Sequence, residues 1–132
     1  MRLLLIRHAD AQAGSPDELR SLSAEGRAAA RALGERLAGD GIRPAAILTS
    51  PLLRARETAD ALAAALGCAA EPTEALAPGA TADGLRHAVA GRGETVIAVG
   101  HQPDCGRIAA ALGDGTEPSF PPAGVVDLQL EA

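Results

Sequence analysis

The alternation of apolar and polar positions divides the chain into short strand-like runs separated by longer helix-like segments. Residues 2–6 form an apolar run whose length and composition predict a buried strand, and residues 45–49 have the same character. The run at 95–99 is rich in β-branched residues, which favour strands. Residues 68–71 are a candidate short strand. Residues 125–131 alternate as expected of a strand with one face on the core.

Helix signals fill the intervals between these runs. Ser23 and Thr81 are good N-cap residues, and Gly67 is placed to end a helix. The helices are predicted after the Ser23 cap as far as Gly39, from Ser50 to about Leu66, over 83–90 and over 103–112. Strands alternating with helices predict an α/β fold, a three-layer α/β/α sandwich with a central, mainly parallel sheet. We expect one domain over residues 1–132.

Basic and imidazole side chains stand at the ends of two predicted strands. Arg7 and His8 directly follow the first strand, and His101 follows the strand at 95–99. Arg54 lies one turn into the helix after the second strand. Ligands of open α/β sheets bind outside the carboxyl ends of the strands, so we expect two histidines and two arginines to converge there.

Such a set of side chains suits phosphoryl chemistry. Arginine is always charged, and its planar donors match phosphate oxygens. A neutral imidazole nitrogen can act as a nucleophile and divide the reaction into two steps. Its other nitrogen should then donate to a backbone carbonyl or a carboxylate, which fixes the tautomer. The alternative is that the histidines are structural and that the arginines form structural ion pairs.

Composition and charge narrow the classes of partner. The formal net charge is -5, so the fold as a whole does not attract nucleic acid or an anionic membrane. One Phe and no Trp or Tyr leave no aromatic platform for single-stranded nucleic acid. All 12 basic residues are Arg, which excludes Schiff-base lysine chemistry and a phosphate-loop lysine.

The cysteines and the lengths of the apolar runs indicate the cellular compartment. Cys68 and Cys105 cannot supply a zinc framework, and we predict both to be core residues. No apolar stretch reaches the length of a membrane span or of a signal-peptide core. We therefore expect a cytoplasmic protein with reduced thiols.

Four ordered segments resemble the histidine phosphatase superfamily, whose fold is phosphoglycerate-mutase-like. The segments are Arg7-His8-Ala9-Asp10 after the opening strand, the stretches 22–26 and 49–59, and Val99-Gly100-His101-Gln102-Pro103-Asp104. They span residues 1 to about 112. The family's usual glycine after the first histidine is replaced by Ala9.

The resemblance implies roles for four residues. His8 would be the phosphorylated nucleophile, and Arg7, Arg54 and His101 would bind the phosphoryl group, with no metal or organic cofactor. Larger members add a glutamate general acid and a substrate-covering insertion. This chain is too short for more than a minimal cap, and Leu76 is followed by Ala-Pro-Gly where the acid is expected.

Size and the missing acid make the small bacterial phosphohistidine phosphatases the most similar subgroup. The imidazole leaving group of phosphohistidine departs easily once protonated, so a dedicated acid is dispensable. Protein phosphohistidine is therefore the preferred substrate. The alternatives are a phosphatase for small phosphomonoesters and a binding module for phosphate or phosphoprotein that has lost activity.

Several further residues are weaker candidates. Arg20 is placed to reach the phosphate from its loop, or to lie at the surface. Asp10 is a candidate to orient a substrate group or to replace the acid, or it is a turn residue. Glu74 is a weaker candidate acid. A metal site would use His8, Asp10, His101 and Asp104, but the neighbouring arginines would repel a cation.

Overall fold

A computed structural model describes residues 1–131, and within them strands and helices alternate as predicted. The strands are β1 (Arg2–Arg7), β2 (Ala46–Thr49), β3 (Ala70–Pro72), β4 (Thr95–Gly100) and β5 (Val125–Gln129). The helices are α1 (Ala24–Gly39), α2 (Leu53–Leu66), α3 (Ala82–Val89) and α4 (Asp104–Leu112). Two 3-10 turns cover Asp17–Leu19 and Glu74–Leu76. None of the helices in this range is long and apolar enough to cross a membrane.

The strands form one sheet in the order β3-β2-β4-β1-β5. Only β5 runs antiparallel to its neighbour, so the predicted mainly parallel sheet is confirmed. In the register of β1 and β4, Arg7 pairs with Gly100, and in that of β2 and β4, Thr49 pairs with Val99. The carboxyl ends of β1, β4 and β2 therefore lie side by side.

Two apolar clusters cover the two faces of the sheet and make three layers. Successive side chains of β1 point to opposite faces, as strand geometry requires. Leu3 and Leu5 belong to the cluster that includes Leu85 of α3 and Ile108 of α4. Leu4 and Ile6 belong to the second cluster, together with Leu33 of α1 and Leu62 of α2. The predicted α/β/α sandwich is thereby confirmed.

Several predicted boundaries shift by one to three residues. The second helix begins at Leu53 rather than Ser50, because the proline that follows Ser50 disfavours helical geometry at that residue. The last helix begins at Asp104, and β3 occupies Ala70–Pro72 rather than 68–71. Cys68 is half-buried at the edge of a core cluster, not inside the core as predicted, because it precedes β3.

Both predicted N-caps form, and one of them fixes the loop that follows β1. The Ser23 hydroxyl accepts the Gly26 N–H at 3.0 Å, and Thr81 accepts the Gly84 N–H at 3.1 Å. Gly26 is buried so closely against the loop that a Cβ there would overlap the carbonyl oxygen of Asp10. The start of α1 therefore packs directly on the chain just after the first strand.

Candidate active site

The two histidines and two arginines predicted to converge line one pocket of about 390 Å³ at the carboxyl edge of the sheet. The rings of His8 and His101 lie with their centroids 5.1 Å apart and their planes at 61°. The pocket is lined by Arg7, His8, Asp17, Arg20, Arg54, Pro78, Gly79, His101, Gln102, Pro103 and Asp104.

Adjacent strands bring the two rings together. The His8 N–H donates to the Gly100 carbonyl at 3.0 Å, which extends the pairing of β1 and β4 by one residue. His101 follows Gly100 directly, so both rings leave the sheet at the same level. Arg54 reaches the same edge from the first turn of α2, which follows the neighbouring strand β2.

The His8 ring is oriented by its own backbone. Its Nδ1 lies 2.7 Å from the Ala9 carbonyl oxygen, which leaves Nε2 as the nitrogen free to react. Burial lowers the pKa of His8, and the Ala9 carbonyl opposes that effect while the charges of Arg54 and Arg7 add to it. The ring is therefore neutral at pH 7, and the expected contact with a backbone carbonyl is confirmed.

The His101 ring is almost wholly buried, with 5% of the residue exposed. Its Nε2 lies 2.7 Å from the Ser50 hydroxyl, and its Nδ1 has no partner among the residues the structure describes. Burial lowers the pKa of His101 to about 4, with further contributions from His8 and Arg54. This second imidazole is also neutral at pH 7.

The two arginines are held in different ways. Arg7 donates from Nη1 to the Phe120 carbonyl at 2.9 Å, and its buried Nε has no partner within residues 1–131. Arg54 is buried and donates from Nη1 to the Asp17 carbonyl at 2.9 Å and from Nη2 to the Asp17 carboxylate at 3.2 Å. Arg54 therefore forms an ion pair with Asp17, as the alternative of structural ion pairs predicts, but both residues line the pocket.

A buried threonine ties the histidine loop to the arginine helix. The Thr58 hydroxyl accepts the Ala9 N–H at 3.0 Å and donates to the Arg54 carbonyl at 2.9 Å. Thr58 is fully buried, so no water competes for these bonds. One side chain therefore couples the backbone beside His8 to the backbone of Arg54.

Residues 3–78 match the family model described as histidine phosphatase superfamily (branch 1). The chain belongs to the histidine phosphatase superfamily. A relative that carries the name "uncharacterized protein", from Picosynechococcus sp., is 39% identical over 123 residues, covering 87% of this chain and 74% of the relative.

Solved structures of small histidine phosphatases have the same fold. The protein histidine phosphatase SixA complexed with tungstate matches with a TM-score of 0.90 and 26% identity, over 99% of this chain and 89% of that one. The putative phosphohistidine phosphatase SixA from Agrobacterium tumefaciens matches with a TM-score of 0.85 and 27% identity, over 98% and 91%. Membership and these likenesses support phosphatase activity.

The pocket also contains a carboxylate that the sequence did not reveal. Asp17 begins a 3-10 turn in the loop after β1. Its carboxylate lies 3.2 Å from Arg54 Nη2 and 3.0 Å from Arg20 Nη1. Arg20 lines the pocket, and its Nε donates to the Gln12 carbonyl at 2.7 Å. The Arg20 hydrogen bond is the main reason that the pKa of Asp17 is lowered. The i,i+3 spacing of Asp17 and Arg20 was the available signal.

Asp104 supplies a second carboxylate to the lining of the pocket. Asp104 is buried, and its Oδ2 accepts the N–H groups of Gly79 at 2.8 Å and Ala80 at 3.2 Å. It therefore fixes the Pro78-Gly79 segment that lines the pocket. The sequence suggested Asp104 only as a metal ligand, because nothing local indicates a contact with residues so distant in the chain.

The two weaker acid candidates do not line the pocket. The Asp10 carboxylate accepts the Ser23 hydroxyl at 2.7 Å and is not among the lining residues. Glu74 is exposed on its 3-10 turn and also lies outside the lining. Within residues 1–131, no group of three or more His, Cys, Asp or Glu side chains is placed to hold a metal ion.

The alanine in place of the family's usual glycine is accommodated by packing. Ala9 is fully buried in a small cluster with Leu22 and Ala30. Its methyl group therefore faces side chains of the α1 region, while its carbonyl still holds the His8 ring. The Ala9 methyl group is therefore accommodated while the Ala9 carbonyl contacts the His8 ring.

Proposed function

We propose that the protein hydrolyses phosphohistidine in proteins through a covalent phosphohistidine intermediate on His8. The observation that carries the proposal is the pair of neutral imidazoles, 5.1 Å apart, in one pocket with Arg7 and Arg54. A neutral nucleophile beside fixed cations suits an anionic substrate, and cations alone would only bind it.

In the first step, His8 Nε2 attacks phosphorus in line with the leaving nitrogen. A bond forms between Nε2 and phosphorus, the substrate's P–N bond breaks, and the departing imidazole keeps the electron pair. Arg7, Arg54 and His101 stabilise the charge on the transferring oxygens. Losing one such preorganised donor typically costs about 3 kcal/mol of transition-state stabilisation.

In the second step, water attacks the phosphoryl group on His8. An O–P bond forms as the N–P bond breaks, the electron pair returns to His8 Nε2, and phosphate leaves with the protons of the water, so His8 returns to its neutral form. The lowered pKa of His8 favours this outcome because a neutral imidazole is the form that reacts again. The Ala9 carbonyl keeps the same tautomer in place throughout.

The state of the pocket's carboxylates supports phosphohistidine over an ordinary phosphate ester. Of the carboxyl groups lining the pocket, Asp17 is held by two arginines and Asp104 accepts two backbone N–H groups. Neither is a free proton donor for an alkoxide leaving group. A protonated imidazole leaves without such an acid, and the names of the SixA structures agree with this substrate class.

The short cap supports a protein substrate. Only residues 73–81 connect β3 to α3, and they form one 3-10 turn beside the pocket. Pro78 and Gly79 of this connection are exposed at the rim. A phosphorylated side chain on a protein surface can approach such a rim, whereas a long insertion would select small molecules.

The test is transfer of labelled phosphate from a phosphohistidine peptide. We expect an acid-labile, alkali-stable label on the wild type and on His87→Ala, because His87 is exposed on α3 and its Nδ1 contacts the Asp83 carbonyl. His8→Ala should remain unlabelled. Equal labelling of His8→Ala would contradict the nucleophile. Phosphate-dependent stabilisation without hydrolysis would indicate a binding module. Faster hydrolysis of a small phosphomonoester than of the phosphohistidine peptide would indicate a phosphatase for small phosphomonoesters.

A further inference from the structure

We propose that Ser50 is a positioning residue that holds His101 in the tautomer with its proton on Nδ1, so that this N–H is the donor offered to the phosphoryl group. The inference rests on the proposed function only in taking a phosphoryl group as the ligand of the pocket.

The backbone fixes Ser50 against the strand that carries His101. Ser50 is fully buried at the carboxyl end of β2, and its N–H donates to the Val99 carbonyl at 3.0 Å. Its hydroxyl oxygen lies 2.7 Å from His101 Nε2. The contact is therefore built on paired neighbouring strands and not on a mobile loop.

The hydroxyl proton of Ser50 is assigned by accounting for its other contacts. The Ser50 oxygen accepts the Leu52 N–H at 3.2 Å, so one of its lone pairs is already used. A serine hydroxyl has a single proton, and His101 Nε2 is the acceptor in contact with it within the described residues. Ser50 then donates to Nε2, and the one proton of the neutral ring lies on Nδ1.

The position of that proton decides whether His101 helps or hinders the reaction. Because His101 is neutral, it has one N–H and one lone pair. Nδ1 is buried without a partner in residues 1–131, whereas Nε2 is already bound by Ser50. Because His101 lines the pocket, a proton on Nδ1 would be available to donate to a phosphoryl oxygen bound there, while a lone pair on Nδ1 would repel that oxygen. The low pKa of the ring agrees with a neutral donor.

The direct test is the tautomer of His101, read from its two ring nitrogen shifts by ¹⁵N NMR of the full chain at pH 7. We expect the Nδ1–H form in the wild type and a shift toward the Nε2–H form in Ser50→Ala. Ser50→Thr should restore the Nδ1–H form because it keeps the hydroxyl. Thr49→Val is the matched control: it removes a buried hydroxyl one residue away that donates only to the Ser50 carbonyl.

Binding of inorganic vanadate supplies a second measurement that needs no turnover. We expect about tenfold weaker vanadate binding in Ser50→Ala, equivalent to about 1.4 kcal/mol, and wild-type binding in Thr49→Val. An Nε2–H tautomer in the wild type would overturn the inference, as would a Ser50→Ala variant with unchanged tautomer and vanadate affinity. Both measurements are made without a phosphohistidine substrate, so failure of the proposed function is recognised separately, by absent labelling of His8.

Discussion

The carboxylate of Asp17 lies 3.2 Å from Arg54 Nη2, and the backbone carbonyl of the same residue accepts from Arg54 Nη1 at 2.9 Å. The guanidinium proposed to bind phosphate therefore has an anionic partner in the free protein. A phosphate oxygen that takes Nη2 must compete with this carboxylate, and it approaches against the carboxylate's negative charge.

Replacing Asp17 with Asn should therefore tighten the binding of inorganic phosphate. The variant keeps the backbone carbonyl that accepts from Arg54, and its side-chain amide removes the competing charge. We expect about a fivefold lower Kd for phosphate at low ionic strength. Isothermal titration with phosphate is the measurement. Glu18→Gln is the control, because it removes the same charge from the neighbouring exposed position of the turn. Weaker binding in Asp17→Asn would mean that the carboxylate serves to position Arg54.

Stability should decline as the pH falls from about 6.5 to 4. The folded-state pKa values of His8 and His101 are lowered, that of His101 to about 4, so the unfolded chain binds more protons in this interval. The contribution is complete above the unfolded pKa and is lost on acidification, on the order of 3 kcal/mol for His101 by pH 4. Urea unfolding at a series of pH values measures it. His101→Gln should show a shallower slope, and a slope equal to that of the wild type would contradict the assignment.

Replacing Thr58 with Val should damage both stability and the site. Valine keeps the shape but leaves the buried Ala9 N–H unpaired, which costs about 1–3 kcal/mol. Because the Ala9 carbonyl holds the His8 ring, we also expect slower labelling of His8. Thr58→Ser retains the hydroxyl and should label at a rate close to that of the wild type. Equal melting temperatures for the Val and Ser variants would argue against the bridging role.

Gly26 should tolerate no side chain. An alanine methyl group would overlap the Asp10 carbonyl, so the start of α1 must move away from the loop after β1. We expect this movement to lower the free energy of unfolding by about 3 kcal/mol. Gly39 is the matched position at the other end of the helix, where an added Cβ meets nothing within 4 Å. Gly39→Ala should be neutral or stabilising by about 0.5–1 kcal/mol. Thermal unfolding of both variants decides, and a Gly26→Ala variant as stable as Gly39→Ala would refute the close packing.

The elements that the sequence revealed are those in which local pattern and burial agree. The apolar run of β1 and the β-branched run of β4 are buried at nearly every position, so their composition alone marks them as strands of a parallel sheet. Parallel strands bring their carboxyl ends to one edge, which is why the meeting of His8 and His101 was predictable without coordinates.

The residues that escaped prediction depend on contacts between distant parts of the chain. Asp17 lies in a loop of Gly, Ser and Pro whose composition indicates only a turn, and its approach to Arg54 requires the folded loop. In the sequence, Ser50 resembles an ordinary residue before proline. The hydrogen bond of its hydroxyl to His101 is formed only in the folded chain, so its role could not be predicted. The predicted start of α2 at Ser50 was wrong because the proline that follows disfavours helical geometry at that residue.

The pairing of β1 with β4 has a kinetic consequence. Neighbouring strands lie about 4.8 Å apart, close to the 5.1 Å between the two imidazole rings, so the sheet itself sets their spacing. The rings need no closing segment to reach each other when substrate arrives. Turnover governed by bond making, and not by the movement of a cover, should respond little to added viscogen such as sucrose or glycerol.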